Sequence, residues 1–435
     1  MGSIPCIHKQ AANVRDFSAK SNMKSVSSST LTVLLLMTLM AGSIPVIGQQ
    51  VQKPFETRLL NGLKLVVFKT SEEIVTVRLR IHAGSSFDMA GKEGTFKLLT
   101  EILFPTEELR AFIQEDFGTE LRLITNYDFI EIQTGAKKER MISLLETLAA
   151  RLSNPEITAE TTDAAKKLLR SSNSPSLQDR LNQETASYHL GAYPQGRPVN
   201  GTDESIARID FADIVQARSR FLSPDNATLV ISGDVDEGLM SRAARRLLGP
   251  WTRADQKPRW AFAAPQKAEL TGNVVAREGI AAGVHEFRLA VRNFSRTDAK
   301  YSSYQILLPI LKARLESRFD TSTLEDRGHR VQGALILGGT SRMSSAGDFL
   351  SNNLFQDVTE FEFSEAKRTV AVRNRTLIER YLDADTYGFS SLEQESSSLT
   401  KVTLEDLNNT IRFLKDSPRT LIVFKSAGTD EGSTK

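Results

Sequence analysis

The sequence contains few of the residues from which metal, redox or cross-linked sites are commonly built. It has a single cysteine, Cys6, in a chain of 435 residues, which excludes an intrachain disulfide framework and a thiolate zinc site. The five histidines are His8, His82, His189, His285 and His329. No two of them lie within four residues of each other, so the chain has no local histidine pair, and each is interpreted as a surface or packed residue.

The chain also lacks an excess of charge of either sign. Its formal net charge is +2 with 25% charged residues, so the composition indicates neither a nucleic acid nor an anionic surface as partner. With 40% hydrophobic residues, the chain can form two domains, each of about 200 residues.

The apolar segment near the N-terminus, residues 31–40, is shorter than the roughly 20 residues that a membrane-spanning helix needs. Lys20 and Lys24 precede it, and a small residue, Gly48, follows it. This pattern is typical of an export signal. We therefore predict a signal or targeting segment over residues 1–48, cleaved before Gln49, and a periplasmic or extracellular mature chain.

Two alternatives stay open for this segment. An uncleaved signal would act as a membrane anchor, although Gly42, Ser43 and Pro45 interrupt any longer helix. The polar stretch before Met23 is long for a signal, so the chain starts at either Met1 or Met23.

An internal repeat occurs in the rest of the chain. Residues 213–233 recur in outline at residues 406–428. In each copy, a helix-like stretch ends at Ser-Pro and a β-branched strand beginning with Thr-Leu follows. The alternating strand at residues 75–81 has a counterpart at residues 285–291.

The repeat predicts an α+β fold built from two homologous α/β-sandwich domains. We place the N-terminal domain at residues 49–250 and the C-terminal domain at residues 271–435. The Pro- and charge-bearing stretch at residues 251–270 is interpreted as the connector. Long periodic helices between the strands, such as residues 141–152, complete each layer.

Residues 94–104, with the sequence G-T-F-K-L-L-T-E-I-L-F, predict an amphipathic helix. One apolar stripe consists of Phe96, Leu99 and Leu103. Another stripe, at i, i+3 and i+4, consists of Lys97, Thr100 and Glu101. The simplest interpretation of this second stripe is a solvated face, on which Lys97 and Glu101 form an ion pair that contributes about 0.2–0.5 kcal/mol. The alternative is that the stripe contacts a peptide or a partner.

Several further segments share an order with one known family. They are L-N-G-L-K-L-V-V (60–67), V-R-L-R-I-H-A-G-S (77–85), Y-P-Q-G-R-P-V-N-G-T-D-E-S (193–205), S-P-D-N-A-T-L-V-I-S-G-D-V (223–235), S-R-F (317–319) and L-E-D-R-G (324–328). Together with residues 94–104, they resemble the pitrilysin/insulinase/mitochondrial-processing-peptidase family of zinc metallopeptidases. The resemblance extends over roughly residues 55–428 and implies that the two domains form half of a clamshell.

The resemblance implies a degenerate zinc site. In the family's H-x-x-E-H helix, the positions of Lys97, Thr100 and Glu101 hold a ligand, the general base and a ligand. Lys97 is a cation, Thr100 cannot accept a proton near neutral pH, and a lone carboxylate from Glu101 is a weak zinc site. The family's third ligand falls at or near Ala165, and no Asp or Glu occurs between positions 164 and 178. We therefore expect neither a bound metal nor another cofactor.

The same resemblance implies that the residues that bind the substrate carbonyl are also lost. In active members, an Arg and a Tyr seven residues apart in the L-R-E-x-x-G-x-x-Y block help to hold the substrate carbonyl. Those positions fall at Leu324 and Val331, and neither side chain can donate a hydrogen bond. Arg327 and Arg330 lie close by. One alternative is that they take over this carbonyl-binding role, and the commoner explanation is that they are exposed arginines on a loop or strand end.

The resemblance therefore implies a catalytically inactive peptidase-like subunit, without catalytic residues of its own. Its expected partner is an active zinc-peptidase homologue, with which it would form a heterodimer and help to enclose peptide substrates. The alternative is a scaffold or assembly subunit of a larger complex, the role that inactive relatives have in respiratory complexes. A third possibility is an enzyme that uses unrecognised ligands.

Overall fold

The computed structural model describes residues 53–255, 258–262, 270–372 and 375–427. The predicted targeting segment, residues 1–48, lies outside these ranges. Among the residues that the structure describes, none of the helices combines the length and the hydropathy of a membrane-spanning segment.

Two mixed β-sheets organise the described residues. The first sheet has the order β1-β2-β6-β3-β5-β4, with strands β1 (Phe55–Arg58), β2 (Lys64–Lys69), β3 (Ile74–Ile81), β4 (Arg122–Thr125), β5 (Ile130–Lys137) and β6 (Ala227–Gly233). The second sheet has the order β7-β11-β8-β10-β9, with strands β7 (Leu270–Arg277), β8 (His285–Arg292), β9 (Thr321–Arg327), β10 (Ala334–Ser341) and β11 (Arg419–Ser426).

Strand pairing repeats between the two sheets. The first sheet has one extra edge strand, β1, and its other five strands follow the order of the second sheet. In this comparison β2 corresponds to β7 and β6 to β11, and the pairs β2–β6 and β7–β11 are both parallel. The remaining neighbours are antiparallel in both sheets. The sequence repeat paired residues 75–81 with residues 285–291, and these residues form the strands β3 and β8, which lie inside their sheets. The α+β fold with two homologous halves is therefore confirmed.

Helices cover these sheets. The first half contains α1 (Thr95–Ile102), α2 (Glu107–Phe117), α3 (Met141–Ser153), α4 (Ala159–Ser172), α5 (Leu177–Leu190), α6 (Asp203–Arg208), α7 (Phe211–Phe221) and α8 (Glu237–Leu248). The second half contains α9 (Tyr301–Glu316), α10 (Ala346–Asp348), which continues into a π-helical turn (Phe349–Asn353), α11 (Glu360–Val372), α12 (Leu377–Tyr387), α13 (Gln394–Lys401) and α14 (Leu404–Asp416). The helix predicted over residues 141–152 corresponds to α3.

Capping boxes begin equivalent helices in the two halves. Ser176 and Thr376 each accept a hydrogen bond from the backbone three residues on, and the side chains of Asp179 and Glu379 return the bond, so α5 and α12 begin in the same way. The same reciprocal pattern begins α7 and α14. The repeat therefore extends to the local signals that start its helices.

Each half contributes one helix that covers the other half's sheet. Tyr381 and Leu382 of α12 pack on Val66, Phe68 and Val230 of the first sheet. In return, α5 packs on the second sheet, where Leu181 contacts a cluster that consists of Ile280, Ile422 and Phe424. Because of this exchange, the two halves share buried surface rather than meeting only at a connector.

The surface between α12 and the first sheet is also ionic. Val75, Val77, Leu79 and Ile81 of β3 belong to the first core, and Arg78 and Arg80 on the opposite face bind residues of α12. Among these, Arg80 is only 3% exposed and binds Glu131 of β5 at 2.6 Å and Asp383 of α12 at 2.7 Å. Arg296 of the second half binds the other oxygen of Asp383 at 2.9 Å. Buried charges thus join the two halves.

The predicted connector begins inside the first core. Trp251 is 1% exposed, and its indole N–H donates to the carbonyl of Leu222 at 3.1 Å. The exact boundaries of the two domains stay a prediction.

Candidate functional site

Helix α1 begins at a buried aspartate. Gly94 precedes the helix with φ of 94°, a conformation that favours glycine. The backbone N–H groups of Gly94 and Phe96 donate to the carboxylate of Asp88 at 2.8 and 2.9 Å. Burial raises the pKa of Asp88 to about 7 despite these two bonds. The start of the predicted zinc-type helix is therefore fixed by a carboxylate that lies outside the helix.

An ion-pair chain lies across the positions of the metal ligands. The ammonium of Lys97 is 2.5 Å from Oε1 of Glu101, and the guanidinium of Arg110 on α2 binds Oε2. Burial opposes ionisation of Glu101, but Lys97 and Arg110 outweigh it and hold the pKa of this carboxyl below its usual range. Both carboxylate oxygens are therefore engaged by cations.

The general-base position is closed to solvent. Thr100 is 0% exposed, and its hydroxyl lies 2.8 Å from the carbonyl of Phe96 and 3.0 Å from the hydroxyl of Thr125 on β4. A water molecule for hydrolysis has no access to this side chain. The predicted Lys97–Glu101 pair is confirmed, but the solvated face is wrong. Thr100 and Glu101 are buried, because β4 packs against α1 and Arg110 of α2 binds Glu101.

Helix α4 packs on α1 and carries the position of the family's third ligand. Ala165 is 2% exposed and belongs to the first core. Thr162, one turn before it, is also buried. Within the described ranges, no group of three or more His, Cys, Asp or Glu residues is arranged to hold a metal ion. The residues present at this site do not fit zinc, since they offer one carboxylate that two cations already bind.

In the second half, the two positions that correspond to the family's carbonyl-binding Arg and Tyr are the apolar residues Leu324 and Val331. Leu324 lies on β9, opposite Leu337 of β10, and packs against the second core. Val331 is half-buried in the turn between β9 and β10. In the described part of the chain, no hydrogen bond or ion pair joins these two residues to Lys97, Thr100 or Glu101.

The interpretation of Arg327 as an exposed arginine is wrong. Its side chain is 5% exposed, pairs with Glu325 at 2.6 Å and donates to the side chain of Gln183 on α5 at 2.8 Å. The carbonyl-binding role is therefore not available to it, because these partners hold it between the two halves. Arg330 is half-buried, with its guanidinium 5.7 Å from the ring centre of Trp260.

One inter-half contact was not found from the sequence. The carboxylate of Asp128, in the turn after β4, accepts the backbone N–H groups of His329 and Arg330 at 2.8 and 3.2 Å. It holds the β9–β10 turn of the second half against the first half. The only local signal was the N-Y-D triplet at residues 126–128, which is typical of a turn and does not identify a partner.

Two histidines, His82 after the end of β3 and His189 on α5, are packed residues, as predicted. His82 lies between the hydroxyls of Thr228 and Thr386, each 3.0 Å away, and burial lowers its pKa to about 3. His189 contacts the hydroxyl of Thr420 at 3.1 Å, and burial lowers its pKa to about 4. Both imidazoles are neutral near pH 7 and are held by hydroxyl groups rather than by other metal-binding side chains.

The sequence matches no protein-family model and no curated protein. The structure, in contrast, is similar to many solved structures. One is a peptidase M16 inactive domain from Pseudomonas fluorescens, with a TM-score of 0.74 and 14% identity, covering 86% of this chain and 98% of that one.

Two further structures share the fold. The periplasmic protease PqqL from Escherichia coli is matched with a TM-score of 0.69 and 16% identity, over 86% of this chain and 47% of that one. A chain of the complex III dimer from Candida albicans is matched with a TM-score of 0.67 and 14% identity, over 85% of this chain and 95% of that one. The chain therefore has the two-domain fold of M16-type peptidase units, the fold that the sequence resemblance implied.

Proposed function

We propose that this chain is a non-catalytic, peptidase-like subunit that pairs with an active zinc-peptidase homologue and helps to enclose its peptide substrates. The observation that carries the proposal is the occupation of the ligand positions by the Lys97–Glu101–Arg110 ion pairs. Together with the burial of Thr100, these ion pairs leave no side chain on α1 that could bind zinc or activate water.

Retention of the fold supports a role that depends on shape. A chamber formed by two units needs two walls, and only one wall needs a metal. The match to PqqL covers less than half of that protease, so its length leaves room for a second unit of this size. In the assembly that we propose, the second unit comes from the partner.

A second candidate function is that of a scaffold in a larger complex without a role in proteolysis. The likeness to a chain of complex III favours it, because that chain has the same fold within an assembly of another kind. The two candidates differ in whether this chain changes the cleavage rate of an active homologue.

We expect that this chain alone does not cleave a quenched fluorescent peptide and that it raises the cleavage rate of a zinc-bearing homologue from the same organism. The physical reason is that the active unit alone leaves its substrate open to solvent, whereas two walls hold the peptide. The measurement is the initial rate for the homologue alone, for the chain alone and for the mixture, together with gel filtration of the mixture.

Two controls make the assay specific. Chelation of zinc should abolish the rate in the mixture, and a version of the homologue without its general base should stay inactive in the presence of this chain. Complex formation without any change in rate would favour the scaffold candidate. Cleavage by this chain alone, sensitive to the chelator, would contradict both candidates.

We also propose export with cleavage of residues 1–48, motivated by the short apolar run at residues 31–40. The expected result is a mature chain that begins near Gln49, determined by intact mass of the protein from its native host. A membrane-bound form that still contains residues 31–40 would show an anchor instead.

A further inference from the structure

A cleft of about 680 Å³ lies at the start of α1, and none of Lys97, Thr100 or Glu101 lines it. Its volume falls within the roughly 300–1,000 Å³ that is typical of ligand pockets. The aromatic side chains that line it are Phe87, Phe96, Tyr193, Phe221 and Phe262. The cleft is therefore separate from the degenerate metal positions and is mainly apolar.

Phe262, from the described segment 258–262 of the chain itself, lines one side of this cleft. Pro258 and Trp260 of the same segment line a neighbouring cavity. Pro258, Trp260 and Phe262 are half-buried, whereas Arg259 and Ala261 are exposed. This period of two is that of an extended segment with one face against the protein. We call residues 258–262 the aromatic strap.

Ring contacts attach the strap to the cleft. The ring of Phe87 lies 4.7 Å from Trp260 and 5.5 Å from Phe262, measured between centroids. The ring of Tyr193 lies 6.4 Å from Phe262. Two aromatic side chains at i and i+2 of an extended peptide thus fit this surface.

Hydrogen bonds do not reinforce the attachment. The strap donates none to, and accepts none from, any residue that the structure describes. A peptide that offers two similar rings can therefore compete with the strap, because the contacts that retain the strap among the described residues are its ring contacts and the guanidinium of Arg330.

Charge at the rim indicates what should flank those rings. Arg220 lines the cleft, is exposed, and makes no ion pair within the described residues, where its guanidinium lies 5.3 Å from the ring centre of Phe221. The other cations nearby, Lys92 and Arg197, already pair with Asp213 and Glu93. Asp88 also lines the cleft, but it is buried and accepts the backbone N–H groups of Gly94 and Phe96. Among the described residues, the exposed rim charge without an ion-pair partner is therefore that of Arg220, and it favours an acidic neighbour.

We propose that this cleft binds an extended, acidic segment of a partner polypeptide that carries two aromatic side chains two residues apart, and that the aromatic strap occupies part of the same site until the partner displaces it. The proposal is independent of whether the chain serves a peptidase or a scaffold, because it uses none of the residues at the degenerate metal positions.

The test uses a labelled, tryptophan-free peptide, acetyl-Gly-Asp-Phe-Ala-Phe-Asp-Gly-amide, and the full chain. We expect saturable binding by fluorescence anisotropy, together with a change in the emission of Trp260. The other tryptophan, Trp251, is buried in the first core and should not respond. Replacing Trp260 and Phe262 by alanine should tighten binding about tenfold, because the built-in competitor is lost.

Three matched variants complete the test. Arg259→Ala, which changes an outward-facing strap residue, should leave the affinity unchanged. Ala192→Trp, at an exposed position of the cleft rim, should abolish binding, and Arg220→Glu should weaken it about fivefold or more. No saturable binding to the wild-type chain, or binding that Ala192→Trp leaves intact, would overturn the proposal even if the double alanine variant failed to fold.

Discussion

Replacing Arg80 by methionine should lower the free energy of unfolding by about 3 kcal/mol. Methionine keeps much of the side-chain volume, so the loss would come from charge. Glu131 is 0% exposed and Asp383 is 7% exposed, and the substitution removes the cation that binds both. The expected value is at the lower end for a broken buried pair, because Arg78 still binds Glu131 and Arg296 still binds Asp383.

The measurement is urea-induced unfolding at pH 7, followed by circular dichroism. Arg122→Met is the matched control, since Arg122 binds Glu120 at 2.8 Å but both side chains are more than half exposed. Its effect should be less than about 0.5 kcal/mol. If Arg80→Met cost no more than this control, the ionic contact between α12 and the first sheet would not contribute to the stability of the pair of halves.

Arg80 also illustrates how far the sequence could predict the fold. Alternation along residues 75–81 predicted β3 correctly, and the repeat at residues 285–291 predicted β8. Alternation alone assigns Arg78 and Arg80 to a solvent face. They are instead covered by α12, a helix more than 290 positions later in the chain, because Asp383 and Glu131 compensate the charge. Local periodicity carries no information about such a distant partner.

At the candidate site, too, local spacing predicted a contact within one helix but not the burial that distant segments cause. The spacing of Lys97 and Glu101 was sufficient to predict their ion pair, because residues at i and i+4 are neighbours on any helix. The burial of Thr100 depends on Thr125, which belongs to an edge strand, and the second cation at Glu101 comes from another helix. Because of these tertiary contacts, Thr100 and Glu101 are buried, although the helical pattern alone predicts that they lie on the surface.

Substituting Lys97→His, Thr100→Glu and Glu101→His together should neither create a zinc site nor preserve stability. The new glutamate would lie where a fully buried hydroxyl contacts Thr125, and Arg110 would lose its carboxylate partner. We expect a loss of about 3 kcal/mol or more in the free energy of unfolding. The third ligand position, Ala165, would still offer no donor to a metal.

Lys97→Gln is the matched control for the triple variant. It removes one cation but leaves Arg110 bound to Glu101, so its expected cost is about 1 kcal/mol or less. A triple variant as stable as this control would contradict the burial of position 100, because it would mean that a carboxylate is readily accommodated there.

The most direct test of the central claim, that this chain is metal-free and non-catalytic, is elemental analysis of the wild-type chain and the triple variant. Both proteins would be purified without chelator, equilibrated with a small excess of zinc and desalted. In the wild-type chain, Glu101 is the only carboxylate on α1 and two cations bind it. In the triple variant, the third ligand position, Ala165, still offers no donor. We therefore expect fewer than about 0.1 zinc ions per chain in both proteins. One zinc ion per wild-type chain, lost on Glu101→Gln, would contradict this expectation.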